Sequence, residues 1–242
     1  MSEVKRALVT GGSGDIGGAI SRALAADGFH VIVHANAAVD RAEATVAEIR
    51  AGGGSAQAIA FDLTDGDATR AKLDELLATG PIHALVHNAG IHDDAPLAGM
   101  HEEQWHRVID VSLNGFFHVV QPMLLPMARL RWGRIVSVSS VAAVLGNRGQ
   151  VNYAAAKSAL HGATKSLARE MASRGITVNV VAPGLIAGRM SKDQFDEAQI
   201  KSLVPAARAG TPEEVAALVA FLCSERAAYV NGQIIGVNGG MG

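Results

Sequence analysis

Unbroken apolar runs alternate with longer helix-like segments along the whole of this 242-residue chain. Within each run the apolar residues are consecutive rather than alternating, which indicates strands that are buried on both faces. Such strands form parallel sheets, and the intervening helices cover the two faces. We therefore predict an α/β fold with a doubly wound parallel sheet of about seven strands and helices on both faces. The predicted strands are residues 4–10, 29–33, 56–61, 82–86, 134–138, 176–181 and 233–237.

The segments between these strands carry helical signals. Gly28 follows the first predicted helix and a glycine cluster at 52–54 follows the second, as is common at helix ends. The stretch 102–131 is predicted as a helix in two pieces, interrupted near residues 112–115. No linker, repeat or low-complexity segment divides the chain, so one domain covering residues 1–242 is expected. The predicted helices are residues 18–27, 40–50, 68–77, 102–131, 152–173, 191–203 and 212–224.

Composition argues against several classes of function. A net charge of −2 and 4% aromatic residues do not favour nucleic acid or an anionic membrane surface as a partner. No run reaches the roughly 18 apolar residues of a membrane span. The single cysteine, Cys223, excludes an intrachain disulfide and favours a reducing, cytoplasmic location. The nine histidines show no ligand spacing, so no metal site is predicted.

The carboxyl ends of the predicted strands carry the residues of most interest. Carboxyl ends of parallel strands meet at one edge of a sheet, where ligands bind. Glycines crowd the turn after the first strand, and there the backbone N–H groups at a helix start can approach a diphosphate. We therefore expect one ligand crevice that brings together residues from five strand ends, namely Gly11, Asp62, Asn88, Ser140 and Pro183.

A tyrosine and a lysine, Tyr153 and Lys157, lie four residues apart in an alanine-rich segment. On a helix this spacing places both side chains on one face. A neighbouring ammonium lowers the pKa of a phenol from its ordinary value near 10, so Tyr153 is a candidate general acid or base. Ser140 can hydrogen-bond the same substrate oxygen. Alone, such a pair is more often a solvated helix face, and it gains meaning from the glycine-rich turn.

The glycine-rich turn at residues 10–17 together with Ser140, Tyr153 and Lys157 resembles the short-chain dehydrogenase/reductase family, over essentially the whole chain. The resemblance implies a Rossmann fold and a nicotinamide cofactor. It implies that Tyr153 is the general acid, Ser140 polarises the carbonyl, and Lys157 binds the nicotinamide ribose and lowers the pKa of Tyr153. The cofactor-binding positions that it implies are Gly11, Ser13, Gly14, Asp15, Ile16, Asn36, Asp62, Leu63, Asn88, Ala89, Gly90, Tyr153, Lys157, Pro183, Gly184 and Ile186.

Four residues depart from the family pattern. Asp15 replaces a glycine of the turn, and a carboxylate about 5 Å from a phosphate would be opposed by roughly 3 kcal/mol at an effective dielectric of 20. Weaker cofactor binding is expected, unless Asp15 turns away as a helix N-terminal acid. Ser112 replaces the asparagine that kinks the long helix and frees a carbonyl for a relay water, and is a catalytic candidate. His87 replaces an asparagine, and Gly188 replaces a threonine near the nicotinamide.

The choice between NAD and NADP depends on the end of the second strand. His34-Ala35-Asn36 contains no acid to hold a ribose 2′-hydroxyl and no arginine to hold a 2′-phosphate. The missing acid favours NADPH, with Arg41 as a candidate phosphate partner, and leaves NADH open.

Three segments, residues 146–153, 173–184 and 237–241, are most similar to those of bacterial 3-oxoacyl-acyl-carrier-protein reductases. This resemblance implies reduction of a 3-oxoacyl thioester, with Arg131 and Arg174 docking the acidic carrier protein near the mouth of the site. Both arginines also suit an ordinary helix C-terminus. The family resemblance implies a homotetramer that packs through helices 102–131 and 152–173.

Two other functions stay open at this point. The chain could act on another small alcohol or ketone, or it could be a non-catalytic subunit that pairs with an active paralogue. The four departures motivate the second alternative, and the intact Ser140, Tyr153 and Lys157 argue against it. Fatty-acid biosynthesis and a specialised acyl or polyketide pathway are equally compatible with the sequence.

Overall fold

The computed structural model describes residues 4–189 and 196–242. Its strands join in one parallel sheet in the order β3-β2-β1-β4-β5-β6-β7. The order reverses between β1 and β4, as in doubly wound sheets, so the predicted fold class is confirmed. The strands are β1 (Arg6–Thr10), β2 (His30–Ala35), β3 (Ser55–Ala60), β4 (Ala84–His87), β5 (Gly133–Val138), β6 (Ile176–Pro183) and β7 (Ile234–Val237).

Helices cover both faces of this sheet. The longest is α7, which carries the Tyr153 and Lys157 pair, and a π turn at Asp110–Asn114 lies between α4 and α5. The α-helices are α1 (Asp15–Ala26), α2 (Val39–Ala51), α3 (Gly66–Ala78), α4 (Glu102–Ile109), α5 (Gly115–Leu130), α6 (Ala142–Leu145), α7 (Val151–Met171), α8 (Glu197–Leu203) and α9 (Pro212–Cys223).

Two hydrophobic cores lie on opposite faces of the sheet. One contains Ile20 of α1, Ile49 of α2 and Val219 of α9. The other contains Leu73 of α3, Met123 of α5 and residues of α7. Because both faces are covered, β5 and β6 are buried along their whole length. This explains the consecutive apolar positions in the sequence.

Several predicted boundaries are corrected by the structure. The first helix begins at Asp15 rather than residue 18. Its first turn includes Gly17, where an added Cβ would lie 2.2 Å from the Gly11 carbonyl oxygen. The short helix α6 was not predicted. Of the predicted helix 191–203, residues 191–195 lie outside the described residues, and the described part begins at Glu197.

The predicted interruption of the long helix is a local widening rather than a break. Residues Asp110–Asn114 form the π turn, and α4 and α5 continue it on either side. By length and composition, Glu102–Leu130 is the one described helical stretch that could cross a membrane, and 39% of its apolar window is buried in the fold. Val119 and Met127 of α5 are fully buried, so packing against the sheet accounts for much of this apolarity.

Asn179 ties the centre of β6 to the segment before β7. It is fully buried, its side-chain amide donates to the Val230 carbonyl at 2.8 Å, and its oxygen accepts from the Gln233 backbone N–H at 3.0 Å. Asn179→Ala leaves both backbone groups unpaired, so we expect the free energy of unfolding to fall by about 2 kcal/mol. Urea denaturation measures this. Asn36→Ala, at an exposed position, is the control, and equal losses in both variants would contradict the prediction.

Candidate active site

Ser140, Tyr153 and Lys157 come together at the carboxyl end of β5. Ser140 lies two residues beyond that strand, and its hydroxyl hydrogen-bonds the Tyr153 hydroxyl. The Lys157 ammonium lies 5.9 Å from the centre of the Tyr153 ring. The three predicted catalytic side chains therefore form one cluster, and the helical spacing of Tyr153 and Lys157 places both on the same face of α7.

Buried polar side chains fix α7 against the rest of the site. Asn152 is fully buried, and its amide donates to the carbonyls of Asp93 and Gln104 at 3.0 and 3.2 Å. The Ser139 hydroxyl donates to the Lys157 carbonyl at 3.1 Å. These contacts join the catalytic helix to β5 and to the loop after β4. Sequence reasoning missed both residues as positioning groups, although each directly neighbours a predicted catalytic residue.

The Lys157 ammonium is buried and lies beside Gly90. It donates to the Val138 carbonyl at 2.9 Å, and an added Cβ at Gly90 would lie 2.7 Å from the ammonium nitrogen. Gly90 therefore leaves the space that the ammonium occupies. Burial lowers the pKa of Lys157 to about 8, because the charged form loses its hydration. With this pKa, Lys157 is still mostly protonated at neutral pH.

The pKa of Tyr153 corrects one expectation. Burial raises it above the ordinary value, the hydrogen bond from Ser140 acts in the opposite direction, and the charge of Asp94 raises it further. The sequence predicted that Lys157 would lower this pKa. A phenol with a raised pKa is protonated at neutral pH, which is the form that can donate a proton.

The departures at His87 and Ser112 are in direct contact. Nε2 of His87 donates to the Ser112 carbonyl at 2.9 Å, and Nδ1 lies 3.3 Å from the Thr10 hydroxyl. Burial, with the nearby charge of Lys157, lowers the pKa of His87 to about 3, so the ring is neutral. The Ser112 hydroxyl is buried and has no protein partner, and it faces Gly90 as Lys157 does. The Ser112 carbonyl thus accepts a hydrogen bond from another residue that departs from the family pattern.

The glycine-rich turn packs tightly against β2 and the end of β4. Gly11 has a left-handed φ of +63°, and an added Cβ at Gly12 would lie 2.7 Å from a Val33 methyl carbon. The Asn88 amide donates to the carbonyls of Thr10 and Gly11, each at 3.1 Å. Asn88 therefore holds the turn at the switch point of the sheet, and the Ala89 N–H donates to the Thr10 hydroxyl at 3.1 Å.

The residues expected near the adenosine lie at the ends of β2 and β3. Asn36 is exposed just after β2, and Asp62 is exposed just after β3, where its carboxylate accepts from the Thr64 N–H and hydroxyl. Leu63 is buried. His34 joins these parts, because Nδ1 accepts from the Gly11 N–H at 3.2 Å and Nε2 donates to the Phe61 carbonyl at 2.9 Å.

Burial lowers the pKa of His34 to about 4, so this ring is a neutral structural link. From the sequence, the segment that contains His34 predicted only the cofactor preference, through the absence of an acidic residue. Neither spacing nor composition distinguishes a histidine that bridges two loops from one that lines a surface.

The turn residue Asp15 is paired across the crevice. Its carboxylate contacts Arg189, which follows β6, with one N···O distance of 2.7 Å. Gly188 packs against the same carboxylate. The expectation of weakened cofactor binding rested on an unpaired charge, and Arg189 neutralises that charge. The sequence did not predict Arg189 as a site residue.

The segment after β6 passes over the end of the sheet. The Pro183 carbonyl accepts from the Val141 N–H at 2.7 Å, and an added Cβ at Gly184 would lie 2.8 Å from the Asn238 Cα. Ile186 pairs with Gly210 in an isolated β-bridge. These contacts place the predicted nicotinamide-side residues at the same edge of the sheet as Ser140.

Arg131 and Arg174 do not lie at the mouth of this chain's own site. Arg131 ends α5 just before β5, and Arg174 lies just before β6, so both occupy the amino-terminal edge of the sheet. The Arg131 guanidinium donates to the Ser173 carbonyl at 3.0 Å. Strands of six to eight residues rise about 3.3 Å per residue, which separates the arginines from Ser140 by about 20 Å. The expected position is therefore wrong for a single copy of the chain.

Among residues 4–189 and 196–242, no group of three or more histidine, cysteine, aspartate or glutamate side chains could hold a metal ion.

Residues 12–242 match the profile of a protein family described as enoyl-(acyl carrier protein) reductase. Curated relatives match the chain along nearly its whole length. The chain belongs to the short-chain dehydrogenase/reductase family. It is 45% identical to the 3-oxoacyl-[acyl-carrier-protein] reductase FabG of Staphylococcus aureus, over 100% of this chain and 99% of the relative.

Two further relatives match the chain with similar identity over nearly its whole length. FabG of Aggregatibacter actinomycetemcomitans is 43% identical, over 97% of this chain and 98% of the relative. The 3-oxoacyl-[acyl-carrier-protein] reductase of a Synechocystis species is 44% identical, over 97% and 96%. The family profile and these relatives carry different reaction names, one for an enoyl and one for a 3-oxoacyl substrate.

Short-chain dehydrogenases use a nicotinamide dinucleotide, and the residues present here fit one. Helix α1 begins at Asp15, and its N-cap residue Gly14 offers no side-chain cap, so the N–H groups of the first turn point towards an open edge. An added Cβ at Gly14 would meet only the Gly11 carbonyl oxygen, at 3.3 Å. A helix start of this kind favours an anion such as a diphosphate. Lys157, beside Gly90, can hold ribose hydroxyls at the other end of the crevice.

The buried charge of Lys157 generates a pH-dependent prediction. Its pKa is about 8 in the folded chain and near 10.5 when unfolded, so the protonated side chain opposes folding below pH 8 by about 3 kcal/mol. This cost disappears as the pH rises from 8 to 10.5. Lys157→Met removes the charge but also the bond to Val138, so we expect the free energy of unfolding at pH 7 to rise by about 1–3 kcal/mol.

Urea denaturation of the parent and of Lys157→Met at pH 7 and pH 9.5 checks this. The gain should shrink at the higher pH, because the parent no longer buries a charge there. A gain that is equal at both pH values, or a loss at pH 7 alone, would contradict the prediction.

Proposed function

We propose that this protein is an NADPH-dependent reductase that converts a 3-oxoacyl thioester on an acyl carrier protein to the 3-hydroxyacyl thioester. The observation that carries the proposal is the joining of Ser140, Tyr153 and Lys157 at the sheet edge where α1 presents its uncapped start. The names of the full-length relatives support the substrate class.

When bound, the cofactor would supply the hydride for the 3-oxo carbon. Ser140 donates a hydrogen bond to the carbonyl oxygen and so fixes its position next to Tyr153. Tyr153 donates the proton to that oxygen, and its raised pKa keeps it protonated until negative charge develops there. Lys157 would hold the ribose, and its ammonium lies 5.9 Å from the centre of the Tyr153 ring, so it keeps a positive charge on this side of the site.

NADPH is the proposed cofactor because the end of β2 offers no acid to a ribose 2′-hydroxyl. Ala35 ends the strand and the exposed Asn36 follows it, and Arg41 lies on α2 close enough to lower the pKa of Asp15 electrostatically. A cation at this position suits a 2′-phosphate. Comparison of kcat/KM for NADPH and NADH tests the preference, and equal values would refute it.

A second copy of the chain is part of the proposal. Phe117 and Leu125 on α5 are 63% and 70% exposed, so this helix presents two large apolar side chains to solvent. A homotetramer packed through α4, α5 and α7 would cover them. It would also be needed for the carrier protein, since Arg131 and Arg174 can dock it only if another copy's crevice opens beside them. The reaction is proposed to take place in the cytoplasm.

Tyr153→Phe removes the proposed proton donor while keeping the ring. We expect NADPH oxidation with a 3-oxoacyl thioester to slow at least about 100-fold, because general acid catalysis contributes 10²–10⁴ in rate. NADPH affinity should stay within about threefold. The chain offers a matched control, since its only other tyrosine, Tyr229, is fully exposed and Tyr229→Phe should retain full activity. A Tyr153→Phe variant as fast as the parent would end the proposal.

The proposed substrate class is tested by measuring the activity of the purified parent protein on a panel of substrates. A 3-oxoacyl thioester on carrier protein should be reduced much faster than a 2-enoyl thioester of the same chain length or a simple alcohol and ketone pair. Preference for the enoyl substrate would support the name of the family profile instead. Turnover that appears only after a paralogue is added would support the non-catalytic subunit.

The oligomer prediction uses the exposed face of α5. A Phe117→Glu/Leu125→Glu variant places two charges in the proposed interface, so we expect the assembly to dissociate to smaller species. Light scattering after size exclusion measures the mass. Leu97→Glu, at a 58% exposed position outside α5, is the control and should retain the parent mass. A parent that is monomeric would refute the proposed assembly.

A further inference from the structure

Asp15 and Arg189 connect two loops that are distant in sequence. Asp15 is the first residue of α1, and Arg189 follows β6 by six residues. The Asp15 carboxylate accepts from the Arg189 backbone N–H at 2.7 Å and from its side-chain Nε at 2.8 Å. The Nη2 atom of Arg189 lies 2.7 Å from the same carboxylate and 3.4 Å from the Ser13 carbonyl oxygen. One guanidinium therefore contacts the turn on both sides of Gly14.

Asp15 is charged in this arrangement. Burial alone would raise its pKa, but the hydrogen bonds and charge of Arg189, with a smaller contribution from Arg41, lower it below the ordinary value. An unpaired carboxylate at this helix start would repel a diphosphate. With Arg189 in place, the two side chains together carry no net charge.

Gly188 belongs to the same arrangement. An added Cβ there would lie 2.7 Å from the Asp15 Oδ2 atom. That oxygen accepts from the Arg189 N–H, so it could move away only by losing this bond. The backbone of Gly188 is not in the left-handed region, so space beside the Asp15 carboxylate, rather than conformation, favours a glycine. The three residues Asp15, Gly188 and Arg189 are called the Asp15 clasp below.

We propose that Arg189 is a further cofactor-binding residue. Its contacts with the other two residues of the Asp15 clasp hold it beside the diphosphate position at the start of α1. The inference rests on the proposed function for the identity of the ligand, a nicotinamide dinucleotide. The Arg189 side chain is 53% exposed, so part of the guanidinium remains open to a ligand. A planar guanidinium has five donors and can contact a carboxylate and a phosphate at once.

A purely structural ion pair gives different expectations. Exposed and half-exposed ion pairs contribute little to folding stability, so loss of this pair should leave the fold intact. If the pair only joined two loops, its removal would not selectively change the affinity for an anionic ligand. The affinity for NADPH, measured without an acyl substrate, therefore distinguishes a cofactor-binding role of Arg189 from a purely structural one.

The test is a double-mutant cycle read by fluorescence titration of NADPH. Arg189→Gln should raise the Kd at least tenfold, because it removes a cation and exposes the charge of Asp15. Asp15→Asn alone should change the Kd by less than about threefold, because loss of the contact that holds Arg189 and loss of a negative charge at the helix start act in opposite directions. In the Arg189→Gln background, Asp15→Asn should lower the Kd at least threefold. Arg22→Gln is the matched control, because Arg22 is also on α1 and paired with a glutamate, and its Kd should be unchanged.

A second cycle needs no change at Arg189. Gly188→Ala should raise the Kd in the parent, because the methyl group displaces the Asp15 carboxylate from Arg189. In an Asp15→Gly background the same change should have no effect. Gly162→Ala, on α7 with open space around it, is the control and should bind as the parent does.

The inference is overturned if Arg189→Gln binds NADPH as tightly as the parent, or if Asp15→Asn does not improve binding in that variant. It is also overturned if Gly188→Ala acts equally with and without Asp15. A parent that binds NADPH but reduces no 3-oxoacyl thioester refutes the proposed function and leaves this inference standing. A parent that binds neither NADPH nor NADH refutes both.

Discussion

The hydrogen bond from the Lys157 ammonium to the Val138 carbonyl fixes the geometry of the whole site. It joins the catalytic helix to Val138, the last residue of strand β5, and it does so with a buried charge. Burial is costly, as the lowered pKa of Lys157 shows. Gly90 leaves the necessary space, and Ser139 and Asn152 hold the helix in place. The buried ammonium of Lys157 thus lowers the folding stability, but it places a positive charge where the proposed chemistry requires one.

The fold class could be predicted from local patterns alone, whereas the catalytic cluster was predicted from local spacing together with the family resemblance. Consecutive apolar residues indicate buried parallel strands, and a four-residue spacing places Tyr153 and Lys157 on one helix face. The sequence did not predict Arg189, His34 or the positions of Arg131 and Arg174. These depend on which edge of the sheet a loop reaches and on contacts between residues that are distant in sequence. The pKa of Tyr153 depends on burial, which spacing alone does not reveal.

The four residues that depart from the family pattern contact one another in the structure as two pairs. His87 donates to the Ser112 carbonyl, and Asp15 packs against Gly188 and is neutralised by Arg189. Each residue appears unfavourable when it is considered singly against the pattern. In the structure His87 satisfies the buried Ser112 carbonyl, and Arg189 neutralises the charge of Asp15. Coupling of this kind favours an active enzyme with a rearranged site over a subunit that has lost its function.

The most direct measurement follows the transferred hydrogen. The parent protein is incubated with NADPH deuterated at the transferable C4 position and with a 3-oxoacyl thioester, and the product is examined by mass spectrometry. The account predicts a 3-hydroxyacyl product with one deuterium at C3. A product without deuterium, or with deuterium at any other carbon, would contradict it.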